Sequence, residues 1–170
     1  MSEHHHADER DHRHELQPSS QMCFVCGVSN PIGLKSRFYS VGDNQVELRL
    51  TFTDPYQGYP GITHGGIIAT ILDETMGRAV LASNLERLMM TAKMEIKYRL
   101  SVPLNTEILF RGIVTKDKGR IAQAEGYAIL PDGSIAVEAN GTLMQIPTEK
   151  LSEMNTAEVG WRIYEDHEIE

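Results

Sequence analysis

Tyr59-Pro60-Gly61-Ile62-Thr63-His64-Gly65-Gly66-Ile67-Ile68-Ala69-Thr70-Ile71-Leu72-Asp73-Glu74 is the stretch that decides the fold of this 170-residue chain. A histidine and two glycines open a long apolar run, and a carboxylate follows further in. The first N–H groups of a helix have no internal partner, and the macrodipole puts about half a positive charge there. Glycine lets another molecule approach that end closely, because no Cβ intervenes. The pattern predicts an oxyanion seat at Gly65 and Gly66. Asp73 lies about two turns beyond Gly66 at 3.6 residues per turn, so it returns to nearly the same helix face. An oxyanion seat and a carboxylate on one face point to acyl-transfer chemistry.

The predicted helix runs from about Gly65 to Ser83. Its apolar positions, among them Ile67, Ile68, Ile71, Leu72 and Met76, cover more than one stripe, so it is expected to be mostly buried. On both sides of it the period changes to two. Val46, Leu48, Leu50 and Phe52 alternate with polar residues, and so do Ala92, Met94, Ile96, Tyr98 and Leu100. Asp117-Lys118-Gly119 separates a strand over 107–114 from one over 120–130, and Pro131-Asp132-Gly133-Ser134 separates that from one over 135–146. An earlier strand over 35–41 ends in the turn Gly42-Asp43-Asn44. One buried helix among antiparallel strands predicts an α+β fold, a curved antiparallel β-sheet wrapped around one long central helix.

Charge separates this body from its ends. The net charge is -8. Residues 1–20 carry five acids against two arginines, and residues 147–170 carry seven acids against Lys150 and Arg162. Residues 21–146 are balanced. The expected organisation is therefore a disordered acidic and His-rich tail over 1–20, one domain over 21–146, and an acidic C-terminal tail over 147–170. A neutral body offers no electrostatic footprint for phosphate backbones or anionic lipid, so neither nucleic acid nor membrane is an expected partner. Mean hydropathy is -0.31, and no apolar run approaches the ~20 residues of a membrane span. Two cysteines and no secretory-type apolar segment at the N-terminus make a reducing cytoplasm the expected location.

Gln57-Gly58-x-x-Gly61-x-x-His64-Gly65-Gly66, then Asp73, then Thr91-Ala92 and the strand to Tyr98, resembles the hot-dog-fold acyl-CoA thioesterases. The branch is the phenylacetate-degradation (PaaI-like) type with its animal relatives. Cys23-Phe24-Val25-Cys26-Gly27-x-x-Asn30-Pro31-x-Gly33-Leu34 resembles an N-terminal block found in part of that branch. The resemblance covers residues 21–146. It implies hydrolysis of an acyl-CoA thioester to a free acid and coenzyme A, with no separate cofactor. It also implies a homodimer at minimum, with pairing into a homotetramer (a dimer of dimers) in many members, and active sites at the subunit interface. Some relatives carry asparagine where this chain has Gly58, beside Gln57. The alternative reading is a hot-dog domain that binds acyl-CoA without turnover.

Two adjacent carboxylates compete for the chemistry. Asp73 shares its face with Gly66, Ala69, Gly77 and Val80, whose small side chains leave room for a substrate. Glu74 points about 100° away and has Arg78 four residues on, the spacing of an exposed helix ion pair. Asp73 is therefore the expected nucleophile or general base, reaching the thioester from the neighbouring subunit. Gly65 and Gly66 N–H groups would receive the thioester oxygen, and His64 would hold the loop or the substrate. Thr91 matches the family's hydroxyl residue that positions water or acid. Tyr98, Lys97, Lys118 and Arg120 are the expected contacts for the coenzyme A moiety, although cations on an outer strand face are more commonly plain solvated surface.

Cys23 and Cys26 form a lone C-x-x-C. Four ligands make a structural zinc site, so His12 and His14 would have to join them, and no metal site is expected on that basis. The cysteine block is expected to be a loop that lids the acyl pocket. The tail histidines His4, His5, His6, His12 and His14 are expected to be solvated.

Overall fold

The computed structural model describes residues 14–154 and 157–169. Seven strands, β1 (Glu15–Leu16), β2 (Tyr39–Gly42), β3 (Gln45–Thr51), β4 (Met89–Tyr98), β5 (Glu107–Asp117), β6 (Ile121–Ile129) and β7 (Ile135–Gln145), form one antiparallel sheet in the order β1-β2-β3-β5-β6-β7-β4. The long helix α1 (Gly65–Leu81) lies across it, and a short helix α2 (Thr148–Glu153) follows the last strand. This is the expected hot-dog arrangement. The helix stops two residues before the expected end, where Ser83 turns back onto the Val80 carbonyl through both its N–H and its hydroxyl.

Alternation assigns the faces. Val46 and Leu48 of β3 are fully buried and sit opposite Gly112 and Phe110 of β5. The centre of the sheet is built from small residues, which lets the helix come close. Gly112 faces Gly126, and Ala124 faces Gly141, across three neighbouring strands. A Cβ at Gly112 would lie 2.5 Å from the Thr75 carbonyl oxygen of α1. At Gly141 it would lie 2.9 Å from Met76 Cε and Sδ, and at Gly126 3.2 Å from Met76 Cγ. The glycines form a trough, and Thr75 and Met76 seat the helix in it. Phe52, Phe110 and Tyr56 close one end of the core with edge-to-face contacts at about 6 Å.

The face of α1 turned away from the sheet is covered by chain ends. Arg78 is 2% exposed. Its guanidinium carbon lies 4.7 Å from the Phe38 ring centroid and 5.0 Å from that of Trp161. Its Nε donates to Glu74 Oε1 at 2.8 Å, and its Nη1 donates to the Pro18 carbonyl at 2.5 Å. Gln17 Nε2 in turn donates to the Arg78 carbonyl at 3.0 Å. The sequence predicts this pair as exposed, and that is corrected: the (i, i+4) spacing holds, but the arginine is a core residue. The C-terminal Trp161 and the N-terminal Pro18, far away in sequence, are what bury it.

The segments set apart as tails by composition therefore join the body where they are described. Glu15–Leu16 adds an edge strand, and Gln17 to Ser20 are buried. Ser19 and Arg162 exchange backbone hydrogen bonds, and Tyr164 is 5% exposed. Residues 1–13, with His4, His5, His6 and His12, lie outside the described residues.

Two stability measurements follow. Gly112→Ala should lower stability by ~1–3 kcal/mol, the range for overpacking a closed contact. Gly77→Ala, whose Cβ meets nothing within 4 Å, should instead raise stability by up to ~1 kcal/mol through helix propensity. Denaturant titration of both variants checks the trough, which is refuted if the two are equally stable. Glu74→Gln should cost about 2–3 kcal/mol. That is below the ~3–5 kcal/mol of a fully buried pair, because the Glu74 side chain keeps 28% exposure. A loss under ~0.5 kcal/mol would restore the exposed-pair reading.

Candidate functional site

The first half of the site is the N-terminus of α1. His64 is its N-cap, extended at φ -61° and ψ 131°, and His64 Nδ1 accepts the Gly66 N–H at 2.9 Å. That bond needs an unprotonated Nδ1, so the neutral ring carries its proton on Nε2. It also engages the Gly66 donor. Ile67 and Ile68 N–H both bond to the His64 carbonyl, which leaves the Gly65 N–H with no acceptor among the described residues. Of the two glycines expected to form the oxyanion seat, Gly65 is the one with a donor available.

Tyr98 closes over the same turn. Its hydroxyl donates to the Gly65 carbonyl at 2.8 Å, and a Cβ at Gly65 would meet its ring at 3.3 Å. Burial pushes the Tyr98 hydroxyl pKa up, so it stays a donor. Gly58 backs the histidine: a Cβ there would lie 3.1 Å from His64 Cα. Gln57 Oε1 accepts the Gly61 N–H at 3.0 Å and shapes the loop. Gly58, His64, Gly65 and Tyr98 line a cleft of about 460 Å³ with Ile62, Leu100 and Val102.

The second half lies further along α1. Asp73 is half-buried and lines a separate cleft of about 410 Å³ with Gly77, Met90, Thr91 and Trp161. Its carboxylate has no hydrogen-bond or ion-pair partner among the described residues, whereas the Glu74 carboxylate is bound to Arg78. Glu74 and Arg78 border the same cleft, so the two acids differ in partner: Glu74 is paired and Asp73 is not. Thr91 is exposed on β4, just before a bulge between Thr91 and Lys93, and it shares the Asp73 cleft. Trp161 was missed as a wall of this cleft. The signal was its place, with Ile163 and Tyr164, as apolar residues inside an acidic tail.

The residues expected around coenzyme A do not converge within one chain. Tyr98 belongs to the Gly65 cleft. Lys97, its neighbour on β4, points to the other side of the strand, 3.9 Å from Glu138 and 4.0 Å from Glu95. Lys118 and Arg120 are exposed on the β5–β6 turn, at the end of the sheet where β4 begins. That turn is pinned by Arg87, which binds both Asp117 oxygens and the Gly119 carbonyl.

The cysteine block packs on α1. Val25, Cys26 and Val28 are buried, and no residue of 21–34 lines either cleft, so the expected lid over the pocket is corrected. The neighbouring Cys26 thiol, with the Val25 and Cys26 N–H groups that donate to Cys23 Sγ, brings the Cys23 pKa down to about 6 against the opposing effect of burial. Cys26, holding the shared proton in a buried place, is pushed up. His14 is exposed on the far side of the sheet, beside Tyr39 and Arg49.

Comparison with known proteins gives these clefts a context. Residues 60–131 match the family model described as Thioesterase superfamily. The acyl-coenzyme A thioesterase THEM4 of Mus musculus is 39% identical over 110 residues, covering 62% of this chain and 45% of that protein. The chain spans about half the length of the curated relatives it matches. A crystal structure of RHA08564, described as a thioesterase superfamily protein, superposes with a TM-score of 0.61 at 28% identity, over 68% of this chain and 56% of that one. The smu.793 protein of Streptococcus mutans UA159, solved bound to acetyl CoA, has the same fold: TM-score 0.60 at 20% identity, over 64% of this chain and 86% of that one. No helix among the described residues is long and apolar enough to cross a membrane.

Proposed function

We infer that this chain, which carries a thioesterase-superfamily domain, hydrolyses an acyl-CoA thioester to a free acid and coenzyme A. The observation that carries the reading is the division of the site. Gly65, with its unpartnered N–H, and Asp73, with its unpartnered carboxylate, open into different clefts. Eight residues of helix separate them by about 12 Å, too far for both to touch one carbonyl group within a chain.

Strand β4 supplies the remedy. It is an outer strand of the sheet, ten residues long, with Met90 and Tyr98 48% and 54% exposed. An open edge of that length invites pairing with another copy. Its first residues, Met89 to Thr91, border the Asp73 cleft, and its last, Tyr98, borders the Gly65 cleft. Two-fold antiparallel pairing of β4 with its copy would set the start of one strand against the end of the other. Each Gly65 cleft would then be completed by the partner subunit's Asp73, and a homodimer would hold two shared sites.

In such a site the Gly65 N–H meets the thioester oxygen as negative charge grows on it, aided by the helix dipole. Asp73 of the partner subunit acts on the carbonyl carbon, as nucleophile or as the base that takes a proton from water. Thr91, in the Asp73 cleft, orients that water. With Asp73 as base, water attacks, the C–S bond breaks and the coenzyme A thiolate takes the proton that Asp73 removed. With Asp73 as nucleophile, the C–S bond breaks as a mixed anhydride forms, and water then hydrolyses the anhydride and gives the thiolate its proton. His64 keeps Gly66 and the turn in place. The same pairing would bring Lys118 and Arg120 of one subunit toward Tyr98 of the other, a cationic rim for coenzyme A phosphates, while Lys97 stays on the opposite side of the strand.

Asp73→Asn keeps the size of the side chain but removes the charge and the base. Turnover of acyl-CoA, followed by thiol release, should fall by at least ~10², while acyl-CoA binding and the melting temperature stay near wild type. Turnover within a few-fold of wild type would refute the assignment. A chain that binds acyl-CoA but releases no thiol from a broad acyl panel would be the non-catalytic domain instead.

Complementation tests the shared site. Gly65→Pro removes the N–H at the first helical position, where proline is tolerated, and the extended His64 suits a following proline. Each of Asp73→Asn and Gly65→Pro should be inactive alone. Unfolding the two together and refolding the mixture should restore up to about half of the sites in mixed dimers, one intact site in each. No recovery despite mixed dimers would show that both groups act within one chain.

A further inference from the structure

We propose that Cys23, Cys26 and Glu74 bind a zinc ion between the cysteine block and α1. The composition of the C-x-x-C alone argues against a metal, because its third partner lies on another element. In the folded chain a Glu74 carboxylate oxygen and both sulfurs all lie within 4.8 Å of one another. A tetrahedral zinc with bonds of ~2.3 Å sets its ligands about 3.8 Å apart, so small side-chain rotations bring the three donors to bonding distance.

The turn itself is built to present sulfur. Val25 and Cys26 N–H groups donate to Cys23 Sγ at 3.3 and 3.4 Å, and the Gly27 N–H donates to the Cys23 carbonyl at 2.8 Å. A Cβ at Gly27 would lie 2.2 Å from that carbonyl oxygen, so the closure of the turn requires glycine. Both thiols are thereby held on one side of a tight loop. Backbone donors aimed at a sulfur favour its charged, ligating form.

Charge completes the case. Arg78 already stands beside this cluster, its Nε on Glu74 Oε1 and its Nη2 without an acceptor among the described residues. Two thiolates and a carboxylate carry three negative charges. A divalent ion and the guanidinium carry three positive ones, so the loaded cluster is neutral where burial penalises any imbalance. Two sulfurs and one oxygen in a four-coordinate site suit zinc rather than magnesium or calcium. Ser20 Oγ, 3.9 Å from Cys26 Sγ, is near enough to hold a water as the fourth ligand or to take that position itself. The ion would tie the cysteine block to α1 at the residue next to Asp73. This inference stands independently of the thioester reading.

The test uses the full chain, reduced with a phosphine, stripped by chelation and titrated with cobalt(II). One equivalent should produce a thiolate-to-cobalt charge-transfer absorption, and zinc should abolish it by displacement. Histidines of the N-terminal segment bind cobalt without that absorption, so the band reports the cysteines alone. Cys23→Ser and Cys26→Ser should each remove it. Glu74→Asp, which keeps a carboxylate for Arg78, should weaken zinc binding by at least ~tenfold. Should the serine variants not fold, thiol counting on the wild-type chain decides: zinc should protect both thiols from a disulfide reagent, and chelation should expose them. The proposal is overturned if reduced, folded wild-type protein gives no charge-transfer band. It is equally overturned if the band survives both serine substitutions, or if zinc leaves thiol reactivity unchanged.

Discussion

A positive charge lies in the middle of this protein, and much of the architecture around α1 serves to hold it. Arg78 is stacked between Phe38 and Trp161, paired with Glu74 and bonded to the Pro18 carbonyl. A guanidinium tolerates such a place better than an ammonium would, because its faces stack on rings while its edge donates. The groups around it come from four separate parts of the chain, and all four must be present for the charge to be satisfied. The sheet holds the other face of the helix through the glycine trough. Between trough and arginine, α1 is fixed in depth and in rotation, and its rotation decides what Asp73 and Glu74 do.

That rotation divides adjacent acids into different tasks. Glu74 is held by Arg78 beside the cysteines, while Asp73, on the same cleft, has no partner for its charge among the described residues. An unpaired half-buried carboxylate between Thr91 and Gly77 is unfavourable for stability alone, which is why such groups mark functional sites. The N-terminus of the same helix shows a parallel division. His64 consumes one glycine N–H as a cap and leaves the other open. In both cases one of two chemically equal groups is committed to structure, and its neighbour is kept available.

Much of this was legible in the chain. The long helix, the alternation of β3, and the turn residues at 117–119 and 131–134 are local signals, and each appears as read, whereas β4 alternates only at Met94 and Ile96 and, Met89 aside, is otherwise exposed. What escaped depends on contacts distant in sequence. Edge strand β1 is two residues long, too short for any period. Arg78 looks like a solvent-facing partner of Glu74 until Trp161 and Pro18 are laid over it. Cys23 and Cys26 look short of ligands until α1 brings Glu74 to them. Composition alone separated residues 14–20 and 157–164 from the body, since net charge says nothing of the few apolar side chains that dock.

The cover over Arg78 also sets an order of events during synthesis. Trp161 and Tyr164 are made more than eighty residues after Arg78. At ~5–20 residues per second the helix waits on the order of ten seconds for the rings that close over its charge. Until those rings dock, the outer face of α1 stays wet and the Ser19–Arg162 bridge is unmade. A chain cut short anywhere between residues 146 and 160 would therefore carry a domain with its strands complete and its central arginine open to water on the side that Trp161 covers.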